Sequence, residues 1–204
     1  MFQVFTKNLL FSTILFISYS LISEEYKAGK HYQILPQTIA TRDAKKIEII
    51  EFFWFGCGHC YSLENQLKSW EEKLPSDIDF WRSPITWNEM AKTHAKLFFA
   101  AEFFEKPEII SNTFVSIHAN RRMMTSDQEL QPFFASFGIT EDQYLSLFNS
   151  FAMQNKIRRA DTFGLKYQIR GVPAFIVNGK YKVSASNDVG TVSYTHLTLP
   201  TTML

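Results

Sequence analysis

The spacing of apolar positions changes period several times along the chain, and each change marks an element. Ile47 to Phe53 is β-branched and aromatic, bounded by Lys45-Lys46 and by Gly56, and predicts a buried strand. From Cys57 the period turns helical. Leu63, Leu67, Trp70 and Leu74 recur at i, i+4, i+7 and i+11, one face of a helix that Pro75 ends. Ile78 to Arg82, closed by Pro84, predicts a second strand parallel to the first, which makes a βαβ unit. Before these, Tyr32, Ile34 and Leu35 predict a short edge strand.

From Met90 to Phe151 the pattern is helical throughout and predicts about four helices. Leu97, Ala101 and Phe104 mark one face, and Pro107 breaks the run before Ile109 to His118 resumes it. Ser126-x-x-Glu129 and Thr140-x-x-Gln143 are capping-box patterns, and Gly138 falls where a C-cap would lie. The Phe content here reads as core packing. Phe151 to Tyr167 predicts a longer helix returning to the sheet. Gly171-Val172-Pro173 is then a turn, Ala174 to Val177 a strand, Asn178-Gly179 a two-residue hairpin turn and Lys180 to Val183 the return strand. Pro173 cannot donate to a ladder, so a turn with a cis bond is its natural home.

Composition adds limits. With 204 residues, 46% hydrophobic content and 20 Phe, the chain has a large core and room for one domain carrying an insertion. A formal net charge of +1 gives no basis for binding nucleic acid. The N-terminal stretch 1–23 has Lys7 as its sole charge and an apolar run shorter than the ~18 residues of a membrane span. It fits a signal peptide, with an uncleaved anchor as the competing reading; either way the body is exported. At the other end, Val192 to Thr201 reads back as GTC TCT TAT ACA CAT CTG ACG CTG CCG ACG, which resembles a transposase-end sequencing adapter. Residues 191–204 are therefore expected to be read-through, foreign to the fold.

The chain holds two cysteines, Cys57 and Cys60, at the end of the apolar strand and the start of the helical pattern. Two cysteines cannot build a disulfide scaffold, and His31, His94, His118 and His196 supply no second close ligand pair for zinc. His94 and His118 read as core or solvated helix residues. A C-x-x-C after a strand and opening a helix points to a thiol–disulfide exchange site. The helix N-terminus offers unpaired N–H groups and the positive end of its dipole, which stabilise Cys57 as the reactive thiolate. His59, between the cysteines, adds to that. Glu51, among Ile49, Ile50, Phe52 and Phe53, is expected to be buried, with a raised pKa and a proton-relay role.

Glu51-Phe52-Phe53, Cys57-Gly58-His59-Cys60-Tyr61 and Gly171-Val172-Pro173-Ala174-Phe175-Ile176-Val177-Asn178-Gly179-Lys180-Tyr181 together resemble the DsbA family of exported bacterial thiol–disulfide oxidoreductases. The resemblance implies a thioredoxin-like α/β fold with an inserted all-α helical domain. Its parts would be 24–88, the insertion 89–150, and 151–190. It implies Cys57 as the attacking thiol, Cys60 as the resolving one, Val172 and Pro173 as a substrate-holding cis-proline loop, Glu51 as the buried acid and Arg82 as its basic partner. It also implies a periplasmic location, no cofactor beyond the Cys57–Cys60 disulfide, reduced exported polypeptides as substrates, and a membrane quinone-linked protein that reoxidises the pair. Gly58 departs from the Pro usual in the family's oxidases and makes a less oxidising couple the expectation. Oxidase stands against isomerase or reductase, and against a peptide-binding, chaperone-like module without catalysis. A family helix that covers one sheet face would come after the point where the foreign tail begins, so apolar sheet surface is expected to lack its cover.

Overall fold

The computed structural model describes residues 27–184. The expected signal peptide, its cleavage and the expected read-through tail lie outside them. The order of elements is β1 (Gln33–Ile34), β2 (Ile47–Phe53), α1 (Gly58–Glu71), β3 (Ile78–Pro84), α2 (Glu89–Phe103), α3 (Glu108–His118), α4 (Asp127–Ala135), α5 (Glu141–Asn149), α6 (Phe151–Lys166), β4 (Ala174–Val177) and β5 (Tyr181–Ser184). The strands form one mixed sheet in the order β1-β5-β4-β2-β3. β2 and β3 are parallel, as the βαβ reading requires, and β4 runs antiparallel to both β2 and β5.

β2 lies inside the sheet, so its side chains are buried on both faces, and alternation along the strand decides which neighbours each one meets. Ile50 and Phe52 join Ala174, Ile176, Tyr167 and Ile169 on one face. Ile49 joins Leu63 and Leu67 of α1 with Phe175 and Val177 on the other. Glu51 has the parity of Ile49 and Phe53, which places it on the α1 face, with no exposed surface. Phe53 and Phe55 continue that face into a third cluster with Cys60, Leu97, Phe114, Phe134 and Tyr144, most of it supplied by α2 to α5. The core of the four helices between β3 and α6 is thus continuous with the end of β2.

Local signals act with some differences. Thr140 and Gln143 close a full capping box on α5. Gly138, at φ +74°, ends α4 in a Schellman turn: Ile139 N–H reaches the Phe134 carbonyl at 3.1 Å and Gly138 N–H reaches Ala135 at 2.9 Å. The box expected at Ser126 does not form. The Glu129 carboxylate accepts instead from the N–H groups of Met123 (2.9 Å) and Thr125 (3.1 Å), and the Ser126 hydroxyl turns to donate to it. Helix α1 ends at Glu71, short of Leu74. Ahead of Pro75 the chain tightens into i→i−3 bonds from Lys73 to Trp70 and from Leu74 to Glu71. The sheet face that was expected to lack cover keeps Ile47, Ile78, Phe80, Tyr181 and Val183 partly buried.

The β4–β5 hairpin turns on Asn178 (φ +49°) and Gly179 (φ +61°), the two left-handed positions of a type I′ turn. Gly179 is constrained twice. Beyond its φ, a Cβ there would lie 1.9 Å from the Ile39 carbonyl oxygen, and its own carbonyl accepts the Ile39 N–H at 3.0 Å. Gly179→Ala is expected to cost roughly 2 kcal/mol or more, since left-handed strain and a backbone clash add. Urea unfolding of the two proteins measures this; equal midpoints would show that the turn tolerates a side chain.

Candidate active site

The link Trp54-Phe55-Gly56 carries the chain from the end of β2 to α1, and Cys57 is the N-cap of that helix. Its Sγ occupies the place of a capping Ser or Asp oxygen and accepts the Cys60 N–H at 3.2 Å. A capping group gains by being anionic, because the first-turn N–H groups and the helix dipole both face it. The Cys57 thiol is accordingly brought down to about 6. The largest cause is the hydrogen bond from the Cys60 side chain; the N–H groups of Cys60 and His59 and the charge of His59 add to it, and partial burial opposes it. Cys60, one turn in and fully buried, is driven the other way by burial and by the neighbouring Cys57. Both thiols are free. One is half-exposed and poised as an anion; the other is sealed and protonated.

The opposite wall is the β4 approach. The Val172–Pro173 bond is cis, and the Val172 carbonyl oxygen lies 3.4 Å from Cys57 Sγ, where the protonated thiol donates to it. Pro173 is buried, Val172 half-buried and Gly171 exposed, so an edge of backbone faces the dithiol. His59 and Gly58 lie on the rim, both exposed. A Cβ built at Gly58 meets nothing within 4 Å. Gly56 differs: a Cβ there would fall 2.4 Å from the Trp54 ring, which lies against the loop.

Beneath the dithiol is a buried ion cluster. Glu51 and Arg82 are direct partners across β2 and β3, and Arg82 Nε donates to Glu51 Oε2 at 2.6 Å. The guanidinium then forks onto Glu64 of α1, at 3.1 and 2.9 Å, and stacks over the Phe53 ring. Arg82 is therefore not a solvated strand end. Glu51 keeps one oxygen, Oε1, buried and without a partner among the described residues. Burial pushes its carboxyl up to about 7, against the pull of Arg82. The strand's other buried carboxylate, Glu48, is on the opposite face and is satisfied by Trp81 Nε1 and the Arg42 N–H, both at 3.1 Å. Two buried acids on one strand thus differ in kind: Glu48 is bonded in place, while Glu51 is left able to hold or release a proton beside Cys60, whose thiol its charge also raises.

The sequence pattern does not single out Glu64. Its signal was available: it comes four residues after Cys60 and so shares a helix face with it. His118, a core or solvated helix residue by its sequence pattern, bonds the Phe55 carbonyl at 2.7 Å. His94 is a core residue, 2% exposed, with Nε2 on the Met123 carbonyl at 2.8 Å. Among the described residues no group of His, Cys, Asp or Glu is arranged to hold a metal ion.

A thioredoxin-type sheet that sets a capping thiol against a cis-proline loop belongs to the thiol–disulfide oxidoreductases. The comparisons narrow the class. Residues 76–195 match the family model of the DSBA-like thioredoxin domain. The chain is 34% identical over 161 residues to the thiol:disulfide interchange protein DsbA of Pseudomonas aeruginosa, covering 78% of this chain and 76% of that one. It is 34% identical over 164 residues to the DsbA of Azotobacter vinelandii, covering 80% and 77%. Its fold superposes on the crystal structure of Pseudomonas aeruginosa DsbA with a TM-score of 0.74 at 33% identity, covering 79% of this chain and 85% of that one. The oxidoreductase DsbA from Xylella fastidiosa gives 0.72 at 25% identity, covering 78% and 88%. The chain is a member of the DsbA family, and it is a protein disulfide oxidoreductase.

Because the folded chain holds the Glu51 proton up to about pH 7 while the unfolded chain releases it near 4.5, the folded state binds more protons in that window. Stability from this group is complete below about pH 4.5 and is lost as pH rises through 7. Glu51→Gln removes the loss, so the variant should gain on the wild type by up to about 3 kcal/mol between acid and mildly alkaline pH. Urea unfolding of both proteins, held reduced, across that range checks it; parallel stability curves would contradict a raised Glu51.

Proposed function

We propose that the chain acts as an oxidase, passing the Cys57–Cys60 disulfide to pairs of cysteines in reduced exported polypeptides in the periplasm. The observation that carries this is the opposed ionisation of the two thiols: Cys57 lowered to about 6 at the helix cap, Cys60 buried and raised. A substrate thiolate attacks Cys57 Sγ; the substrate–Cys57 bond forms and the Cys57–Cys60 bond breaks, leaving Cys60 as a thiolate that takes up a proton. A second substrate thiolate attacks the substrate sulfur of the mixed disulfide, and Cys57 leaves as the stabilised anion. The substrate loses two electrons and the enzyme pair gains them. Favouring the Cys57 thiolate favours the reduced enzyme, which makes the disulfide an oxidant.

In this reading Glu51 supplies the proton that Cys60 takes up and recovers it when the pair is reoxidised. Arg82 and Glu64 fix its orientation, His59 supports the anion, and Val172 with Pro173 offers backbone to an extended substrate beside the dithiol. The redox-active pair is the whole of the redox equipment, and a membrane quinone-linked protein is its reoxidant. The second reading, isomerase or reductase, rests on Gly58. In place of proline it leaves the first helical position conformationally free and weakens the preference for the ordered, reduced site.

Incubation of the oxidised protein with a reduced, cysteine-paired polypeptide tests the proposal. Net disulfide formation is expected, and Cys57→Ser should abolish it; assistance of folding that survives in Cys57→Ser would support the chaperone-like reading instead. Equilibration with glutathione fixes the direction: a potential close to about −270 mV, where thioredoxin stands, would overturn the oxidase assignment. Gly58→Pro fits the open space at the first helical position and should make the couple more oxidising by the same measurement.

A further inference from the structure

The link between β2 and the helix cap is short, and one side chain from the helical insertion holds both sides of the C-x-x-C. His118 is the last residue of α3. Its Nε2 lies 2.7 Å from the carbonyl oxygen of Phe55, two residues before Cys57. A carbonyl only accepts, so the histidine donates, and its proton is on Nε2. Among the described residues no other group bonds that carbonyl. The ring of Tyr61, the residue after Cys60, stacks on the His118 ring with centroids 4.7 Å apart and planes 7° from parallel. Phe114, one turn earlier on α3, closes the seat, with its ring 4.8 Å from Phe55 and 6.2 Å from His118.

We infer that His118 is a positioning residue for the dithiol: by donating to Phe55 and stacking on Tyr61 it fixes the link before Cys57 relative to the first turn of α1. The cap contact between Cys57 Sγ and the Cys60 N–H, 3.2 Å long, depends on that relation, because the two atoms belong to the two parts His118 joins. Cys57 N–H bonds the Trp54 carbonyl at 3.0 Å, which shapes the link internally but does not tie it to the insertion. His118 does, and so makes the redox properties of Cys57 depend on where α3 lies. The inference rests on the dithiol reading above, and it deepens that reading by assigning a residue outside the βαβ unit to the control of the thiolate.

The test compares three full-length variants with the wild type. His118→Phe keeps an aromatic ring against Tyr61 without a donor, His118→Met fills the space without either, and His118→Gln keeps an N–H that can reach the carbonyl. With the donor gone, His118→Phe and His118→Met should each shift the dithiol–disulfide equilibrium with glutathione about threefold to tenfold toward the disulfide. They should also raise the midpoint of the Cys57 thiolate absorbance titration. His118→Gln should return both to within about twofold of the wild type, the carbonyl having its donor again. If His118→Phe or His118→Met folds and matches the wild type in both measurements, the assignment is overturned. It is equally overturned if His118→Gln shifts as far as the donor-free variants. Failure of the wild type itself to exchange with glutathione would instead remove the dithiol reading.

Discussion

A sulfur atom in a capping position is the constraint on which the site depends. An N-cap side chain normally satisfies a first-turn N–H with a neutral or acidic oxygen, and the gain is of order 1 kcal/mol. Here the cap is Cys57 Sγ, so the gain is linked to ionisation and to whether the sulfur is free or bonded to Cys60. The helix start becomes part of the redox couple. The surrounding elements keep that cap in register: a central strand delivers the link, α1 supplies the N–H groups, and the cis-proline loop closes the other side without itself donating to the sulfur.

The cap lowers Cys57 alone, and burial completes the distinction by raising Cys60. Cys60 lies in the apolar cluster that the insertion builds against Phe53 and Phe55, where a thiolate has neither water nor a donor comparable to the helix end. Its ionisation during exchange needs a partner that exchanges protons near neutral pH. In the proposed exchange Glu51 would meet that need, because it is imperfectly compensated. Arg82 satisfies one oxygen and is itself shared with Glu64, so the carboxyl is neither fully neutralised nor left as an isolated charge. A complete pairing of the Glu48 kind would hold the carboxylate fixed; no pairing at all would hold it protonated.

Much of this is legible in the sequence because it is local. The β2 run, the switch to helical period at Cys57, the Asn178-Gly179 turn and the Thr140 box are each set by neighbours within a few residues, and each forms as read. The parallel β2–β3 pair came from the βαβ pattern. What the sequence leaves out is the set of contacts that depend on how helices rotate against the sheet. Glu64 looks like an ordinary exposed acid on α1 until Arg82 turns inward beneath it. His118 looks like the end of an amphipathic helix until α3 packs beside Tyr61. The Ser126 pattern fails for a related reason: Glu129 has better donors in the loop before it than the cap it was expected to complete. The ends at 1–23 and 191–204 stay expectations, since they lie outside the described residues.

The helical insertion is more than a cover in this arrangement. Its core and the core beneath the dithiol are one cluster, and Phe114 and His118 reach from it to the link that sets Cys57. Displacing α3 would therefore act on the sulfur by two routes, through the Phe55 peptide and through the seat of Tyr61. Gly58, with open space around it at the first position of α1, takes no part in these contacts. The geometry of the cap is thus set from outside the C-x-x-C as well as from within it. A flexible residue at position 58 makes the outside share the larger, because a first turn that is not stiffened by its own sequence must be held by what packs against it.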